Sequence, residues 1–203
     1  MKMIKSVIPR MAGFFLVLTL ICGVIFPLVI TGIARVIFPN QATGSILVGE
    51  DGTKYGSALV GQPFSDNKYL WGRIMNVDTG SFTGDSGEPL VYGWASNKSP
   101  AGEELEALIT ERVDKIRAAQ PEKADTPIPV DLVTCSGSGL DPDISPAAAD
   151  FQVSRIAEAR NLMEDDVRTI IGECTEGRSL GLFGEPRVNV LKVNLALDGI
   201  AVK

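Results

Sequence analysis

The chain has 203 residues and contains no histidine. This absence excludes Ser-His and Cys-His catalysis and the zinc sites that need imidazole. The chain also has no glycine-rich loop ending in Gly-Lys-Ser/Thr, so it is not a P-loop nucleotide hydrolase. It lacks the Asp-Lys-Thr-Gly stretch that carries the phosphorylated aspartate of ion-pumping ATPases. We therefore assign no catalytic residue and no metal ligand from the sequence.

Cysteine is scarce, with three residues in the whole chain. Cys22 lies in an apolar stretch, whereas Cys135 and Cys174 lie in the polar remainder. Two cysteines do not make a disulfide framework, so the sequence leaves open whether Cys135 and Cys174 pair.

Positive charge is in the minority, with 19 basic against 25 acidic residues. Four basic residues and no acidic ones lie in residues 1–35, which leaves a net charge of −10 for the rest of the chain. Nucleic-acid affinity depends on neutralising phosphates with Lys and Arg. We therefore expect no nucleic-acid partner.

One long stretch without charge stands out, from Met11 to Ala34. A helix of this length rises about 36 Å, enough to cross a hydrocarbon core of about 30 Å. Lys2, Lys5 and Arg10 precede the stretch, and only Arg35 follows it closely. The positive-inside rule therefore predicts a cytoplasmic N-terminus at 1–10, a transmembrane anchor at 11–34, and a polar domain at 35–203 outside the cytoplasm.

A cleaved signal peptide is the alternative interpretation of this stretch, but signal peptides carry apolar runs of about 7–15 residues. Pro27 lies inside the run and predicts a kink. Gly23 and Gly32 are small enough to let another membrane helix approach closely. We take Gly23, Pro27 and Gly32 as candidate contacts with membrane partners.

The polar domain has the pattern of one mixed α/β domain. Apolar residues at helical spacing predict helices over 101–119, 145–160 and 164–176, the last with Gly177 as a possible cap. Short apolar or alternating runs predict strands over 46–48, 90–94, 130–134 and 191–197, with a bulge near Val190. Residues 66–87 and 121–129 are predicted to be a long loop and an extended linker.

Small residues are concentrated between Cys135 and Pro146. Such a stretch can direct backbone N–H groups at an anion, which makes Ser136, Gly137, Ser138, Gly139 and Asp141 candidates for binding a phosphate. The alternatives are a cation site using the aspartates and a strand-to-helix turn that binds nothing. A Ser-Lys hydrolase with Lys192 as the base is a distant further alternative.

Polar and aromatic residues between 56 and 73 are typical of a surface that docks a partner. Gln62, Tyr69 and Arg73 are the candidates that we take from this region as interface residues.

These segments together resemble one family, the small C subunit (KdpC) of the Kdp-type high-affinity potassium-transporting ATPase of bacteria. The resemblance spans nearly the whole chain. It rests on FPNQA at 38–42, GSALVGQ at 56–62, GR at 72–73, VDLVT at 130–134, SGSGLD at 136–141, ISPAA at 144–148, AR at 159–160 and NLALD at 194–198.

The resemblance implies a non-catalytic accessory subunit of an ATP-driven potassium uptake pump in the bacterial inner membrane. Its implied partners are a channel-like potassium-translocating subunit and an ATP-hydrolysing P-type subunit. ATP and K⁺ would be handled by the complex, with no cofactor held firmly by this chain. The implied role is assembly, with an indirect increase in the ATP affinity of the hydrolysing subunit. The alternative is a cytoplasmic catalytic chaperone that contacts nucleotide directly.

Two positions depart from the family. The family often has histidine where this chain has Asp143, and it often has proline after the Gly-Arg pair, where this chain has Ile74. Any role that the family gives to the histidine side chain does not carry over to Asp143.

Overall fold

The computed structural model describes residues 2–78, 80–84, 86–87, 90 and 92–202, with side chains from residue 7 onward. The chain divides into two compact units, Met1–Ile46 and Leu47–Lys203. All three cysteines are free thiols, so Cys135 and Cys174 are not paired.

The first unit is helical. Its elements are α1 (Lys2–Leu20), a π-helical turn (Ile21–Ile25), α2 (Phe26–Ile37) and α3 (Pro39–Ala42). Residues Val7–Ile37 form the one helical stretch, among the described residues, that is long and apolar enough to cross a membrane. The predicted anchor at 11–34 lies within this stretch.

The π-helical turn comes directly before Pro27. Proline has no N–H to donate, and its ring collides with the carbonyl of the residue four positions earlier, which here is Gly23. A π-helical turn contains one residue more than an α-helical turn, and this wider spacing removes the conflict. The helical hydrogen bonding therefore changes just before Pro27, whereas the kink predicted there stays a prediction.

The second unit contains both helices and short strands, which confirms the mixed class. Its strands are β1 (Ile46–Val48, shared with the end of the first unit), β2 (Lys54–Ser57), β3 (Val77–Asp78), β4 (Tyr92–Gly93), β5 (Asp143–Ile144), β6 (Thr175–Glu176) and β7 (Arg187–Asn189). Its helices are α4 (Glu103–Ala119), α5 (Pro146–Phe151), α6 (Val153–Arg160), α7 (Glu164–Glu173) and α8 (Val190–Leu197), with 3₁₀ turns at Pro121–Lys123 and Val130–Leu132.

The strands form three small sheets. β1 pairs with β2, and β3 pairs antiparallel with β4 in the register Val77 to Gly93. The largest sheet has the order β5-β7-β6, with β7 antiparallel to both neighbours. Val188 of β7 is fully buried and lies opposite both Ile144 and Thr175.

The core consists of two clusters of buried apolar side chains. The larger is built by α4 to α8, β5 and β7 around Trp71, and the smaller joins Leu47 to Leu191 and Leu195. Helix α8 contributes to both clusters because its apolar side chains lie on opposite sides of the helix.

Two predicted strands are helical in the structure, so those predictions are wrong. Residues 190–197 form α8, whose N-cap is Asn189; its side-chain oxygen accepts the Lys192 N–H at 3.0 Å. Strand β7 ends at Asn189, which replaces the predicted bulge near Val190. Residues 130–132 form a 3₁₀ turn, because the chain folds back locally and Thr134 Oγ1 donates to the Val130 carbonyl at 2.8 Å.

Other boundaries also differ. The predicted helix at 145–160 is divided at Gln152 into α5 and α6, although Ser145 is its N-cap as expected. Helix α7 ends at Glu173 with Cys174 as C-cap, so Gly177 is not the cap. The linker at 121–129 begins with a 3₁₀ turn. The predicted strand at 90–94 is reduced to Tyr92–Gly93, and residue 91 lies outside the described residues.

Candidate partner interface

An irregular segment at residues 66–73 buries Leu70 and Trp71 in the core of the second unit, and side chains satisfy the backbone there. Gln152 accepts the Trp71 N–H at 2.8 Å and donates to the Trp71 carbonyl at 3.0 Å. Asn194 does the same for Leu70, at 2.7 and 3.0 Å. Buried backbone groups outside sheets and helices need such partners. The two amides therefore replace the neighbouring strands that this segment lacks.

Two arginines complete the support of this segment. Arg155 donates to the carbonyls of Asn67 and Tyr69 and, at 2.6 Å, to Gln152 Oε1. Arg160 donates to the Lys68 carbonyl at 2.6 Å and pairs with the Asp198 carboxylate at 2.7 Å.

Tyr69, a predicted interface residue, has an internal role in the second unit. Its hydroxyl donates to Asp198 Oδ2 at 2.9 Å, and its ring lies 5.1 Å from the Arg160 guanidinium. The ring also contacts Phe64, with 5.3 Å between the ring centroids. Its role as a partner contact remains a prediction.

The structure brings Gln62, Arg73 and Asp141 together around one small cavity, although they lie up to 79 positions apart in the chain. Arg73 donates to Thr134 Oγ1 at 3.3 Å and to the Cys135 carbonyl at 3.2 Å. Its Nε lies 3.8 Å from Asp141 Oδ2. Gln62 donates to the Tyr55 carbonyl at 2.9 Å.

The loop at residues 136–141 uses part of its own hydrogen-bonding capacity. Ser136 Oγ accepts the Gly139 N–H at 3.0 Å, and Ser138 Oγ accepts the Leu140 N–H at 3.2 Å. The Asp141 carboxylate accepts the Asp143 N–H at 3.1 Å. The N–H groups of Gly139 and Leu140 are therefore occupied within the loop itself. Anion binding by the remaining groups of the loop stays a prediction. The ammonium group of Lys192 pairs with Glu176 at 3.2 Å.

Asp143 is the first residue of β5 and lies opposite Asn189 of β7. Burial raises the pKa of its carboxyl, against the opposing effects of the Asn189 side-chain amide at 3.0 Å and Arg187 at 3.1 Å. Asn189 also donates to the Ala58 carbonyl at 2.9 Å, so Asp143 belongs to a network that joins this sheet to the segment after β2.

A groove of about 290 Å³ opens beside the 66–73 segment, and we name it the Trp71 groove after the buried indole behind it. Two predicted interface residues, Gln62 and Arg73, line it. The rest of its lining comes from neighbouring positions and from one face of α4: Pro63, Phe64, Ser65, Gly72, Ile74, Met75, Leu108, Glu111, Arg112 and Lys115. Neither Arg112 nor Lys115 is among the residues that the sequence singles out.

An apolar hairpin extends from the second unit at residues 179–183. Ser179 and Phe183 pair through two backbone hydrogen bonds of 2.8 and 2.9 Å, and Arg178 pairs with Glu185 at 2.7 Å at its base. Leu180, Leu182 and Phe183 are 89%, 75% and 65% exposed. The sequence analysis missed this feature, although the run Leu-Gly-Leu-Phe-Gly between two charged residues was a visible signal.

The remaining candidates, Gly23, Pro27 and Gly32, lie in the apolar helix. Gly23 is in the π-helical turn, Pro27 is at the start of α2, and Gly32 lies within α2 with open space where a Cβ would be. Among the described residues there is no group of three or more acidic or cysteine side chains that could hold a metal ion.

The chain thus combines one helix long and apolar enough to cross a membrane with one mixed helix-and-sheet unit. A family model described as "K+-transporting ATPase, c chain" (KdpC) matches residues 9–199. The chain belongs to this family. The family is that of a subunit, which confirms the expectation that the chain is not an enzyme by itself.

Several relatives are similar over much or all of their length. A protein of Clostridium botulinum named "Potassium-transporting ATPase KdpC subunit" is 55% identical over 200 residues, which cover 98% of this chain and 99% of the relative. Proteins of the same name from Clostridium perfringens and Sorangium cellulosum are 62% and 52% identical over 139 and 138 residues. These two matches cover 68% of this chain, and 70% and 69% of the respective relatives.

Proposed function

We propose that this chain is the accessory subunit of an ATP-driven, high-affinity potassium uptake pump and is needed for its assembly. The observation that carries the proposal is the match along almost the full chain to proteins named as subunits of a potassium-transporting ATPase. The proposed partners are a channel-like potassium-translocating subunit and an ATP-hydrolysing P-type subunit, both in the bacterial inner membrane.

The proposed orientation has the N-terminus in the cytoplasm and residues 35–203 outside. It is supported by the basic residues before the apolar helix and the single arginine close behind it. In this orientation the polar domain cannot touch cytoplasmic ATP. Any increase in ATP affinity would then act through the helix, with a coupling free energy of typically about 1–3 kcal/mol.

Cysteine labelling tests this orientation in cells. In a cysteine-free variant, we expect Glu158→Cys, an exposed position in the polar domain, to react with a membrane-impermeant maleimide in intact spheroplasts. Ser6→Cys is the matched control for the other side and should react only after lysis. Protection of Glu158→Cys until lysis would contradict the orientation and favour the cytoplasmic, nucleotide-contacting alternative.

The apolar hairpin is the surface that we propose to enter an apolar pocket of a partner subunit. Three large, exposed apolar side chains on one hairpin mark an interaction site. A lipid surface is a poorer occupant, because the chain after Arg35 carries a net charge of −10 and anionic headgroups repel it.

The double variant Leu182→Ser/Phe183→Ser should reduce co-purification with the other pump subunits about tenfold or more, since buried apolar and aromatic anchors dominate interface energies. The free energy of unfolding should change by less than about 0.5 kcal/mol, because these side chains are exposed. Met163→Ser is the matched control, because Met163 is 69% exposed and lies outside the hairpin. This variant should leave co-purification unchanged. Equal losses in both variants would contradict the role of the hairpin.

A further inference from the structure

The Trp71 groove is lined by three basic residues, Arg73, Arg112 and Lys115, against one acidic residue, Glu111. Arg112 donates from Nε to the Leu132 carbonyl and from Nη2 to the Gly72 carbonyl, both at 2.9 Å. Carbonyl oxygens satisfy its N–H groups but leave its charge in place, and burial alone lowers its pKa. Among the described residues, no carboxylate lies within ion-pair distance of Arg112 or Lys115.

Three cations gather around the single indole ring of Trp71. The Arg155 guanidinium lies 4.1 Å from its centroid, the Lys115 ammonium 5.0 Å and the Arg112 guanidinium 5.5 Å. Burial, and next the charge of Arg112, lowers the pKa of Arg155 to about 10. Arg112 and Arg155 therefore repel each other next to the groove even before a partner arrives.

Many cations elsewhere in the second unit pair with carboxylates, although Arg117 and Lys123 donate to backbone carbonyls instead. The surface arginines and lysines that pair directly with carboxylates at 3.2 Å or less are Lys98, Arg160, Arg168, Arg178, Arg187 and Lys192. At the groove, Arg73 has a carboxylate only at 3.8 Å, and its buried Nε makes no hydrogen bond to the described residues. In a domain with a net charge of −10, the groove therefore brings three basic residues together beside a single acidic one.

The other lining residues are mainly apolar, apart from Gln62, Ser65 and the acidic Glu111. Phe64, Ile74, Met75 and Leu108 line it beside the cations. Its volume of about 290 Å³ is close to the lower limit of ~300 Å³ for ligand pockets. The groove can therefore take a carboxylate side chain together with an apolar neighbour, whereas a lone small anion would leave the apolar wall uncovered.

We propose that the Trp71 groove receives an Asp or Glu side chain and an adjacent apolar residue, presented by a segment of another subunit of the pump. The carboxylate lies between Lys115 and Arg112, where charge-assisted hydrogen bonds are stronger than neutral ones. The apolar neighbour packs on Phe64 and Leu108. This inference rests on the proposed function, and its test separates the two.

The test uses the full-length chain co-expressed with the other subunits of its own pump and purified in detergent. Lys115→Glu should increase the dissociation rate of the chain about tenfold or more, since reversing a charge that faces a carboxylate acts mainly on dissociation. Lys68→Glu is the matched control, because Lys68 is also exposed and lies 5.1 Å above an aromatic ring, that of Tyr69, but does not line the groove. It should change the rate by less than about twofold.

Two further measurements make the result specific. Raising the salt concentration should speed dissociation of the wild-type chain more than that of Lys115→Gln, since salt screens exposed charge pairs. A photo-crosslinking amino acid at position 108 should cross-link to a partner peptide that contains Asp or Glu. Unchanged unfolding of Lys115→Glu, followed by tryptophan fluorescence, shows that the variant is folded.

The outcomes differ for the two proposals. A wild-type chain that does not co-purify overturns the proposed function and with it the groove. A wild-type chain that co-purifies while Lys115→Glu dissociates no faster than Lys68→Glu overturns the groove alone. A cross-linked peptide without an acidic residue overturns it as well.

Discussion

Gln152→Met should lower the free energy of unfolding by about 3–5 kcal/mol, because four polar groups lose a partner at once. The Gln152 side chain is 1% exposed and binds both backbone groups of Trp71, the Ala148 carbonyl and the Arg155 guanidinium. Methionine has a similar shape, so the loss comes from unpaired groups rather than from a cavity. Urea unfolding of the full chain in detergent, followed by tryptophan fluorescence, measures it.

Gln120→Met is the matched control for this prediction. Gln120 is also 1% exposed, but neither its amide nitrogen nor its amide oxygen has a hydrogen-bond partner among the described residues. Replacing an unpaired buried amide by an apolar side chain should leave the stability unchanged or raise it by up to about 1 kcal/mol. Equal losses in the two variants would show that the Gln152 hydrogen bonds are not what supports the 66–73 segment.

Gly139→Ala should destabilise the fold by about 3–5 kcal/mol, because backbone strain and a steric clash add together. Gly139 has φ = +75°, which L side chains rarely adopt. A Cβ at this position would lie 2.8 Å from the Asn76 carbonyl oxygen and still closer to that of Trp94. The glycine is needed because the loop packs directly on the backbone at β3 and β4, where the Asn76 N–H donates to the Gly139 carbonyl at 3.1 Å. Urea unfolding measures the loss.

Gly137→Ala provides the control within the same loop. A Cβ on Gly137 would meet no atom within 4 Å, so the stability should change by less than about 0.5 kcal/mol. The pair also separates the two interpretations of residues 136–141. A stability loss confined to Gly139 supports the packing role, whereas a stable Gly139→Ala variant would leave the glycine without a structural reason.

Elements with a clear amphipathic pattern could be predicted from the sequence. The prediction of helix α4 was correct because its buried Ile116 and partly buried Val113 recur at helical spacing beside many charged residues. Helix α8 was mistaken for a strand because it is buried on several faces. Its alternating Leu191, Val193, Leu195 and Leu197 therefore imitate a strand, and periodicity does not distinguish the two.

The candidate site was predictable only in part. Gln62 and Arg73 are predicted interface residues because glycines and polar residues around them indicate an exposed surface. Both line the Trp71 groove, and their contact with a partner stays a prediction. Arg112 and Lys115 were missed because each looks like an ordinary solvated residue on its own helix. Their importance comes from sharing the Trp71 ring with Arg155, 40 or more positions along the chain from either of them.

By itself, the sequence determined the absence of imidazole chemistry, the apolar helix and the family, since composition, a long uncharged run and ordered motifs are properties of the chain alone. The tertiary structure alone decided which charges lack partners, which amides support the 66–73 segment and which apolar residues remain exposed on the hairpin. These properties depend on distances between residues that are far apart in the chain, and such distances are set by packing of the core rather than by local pattern.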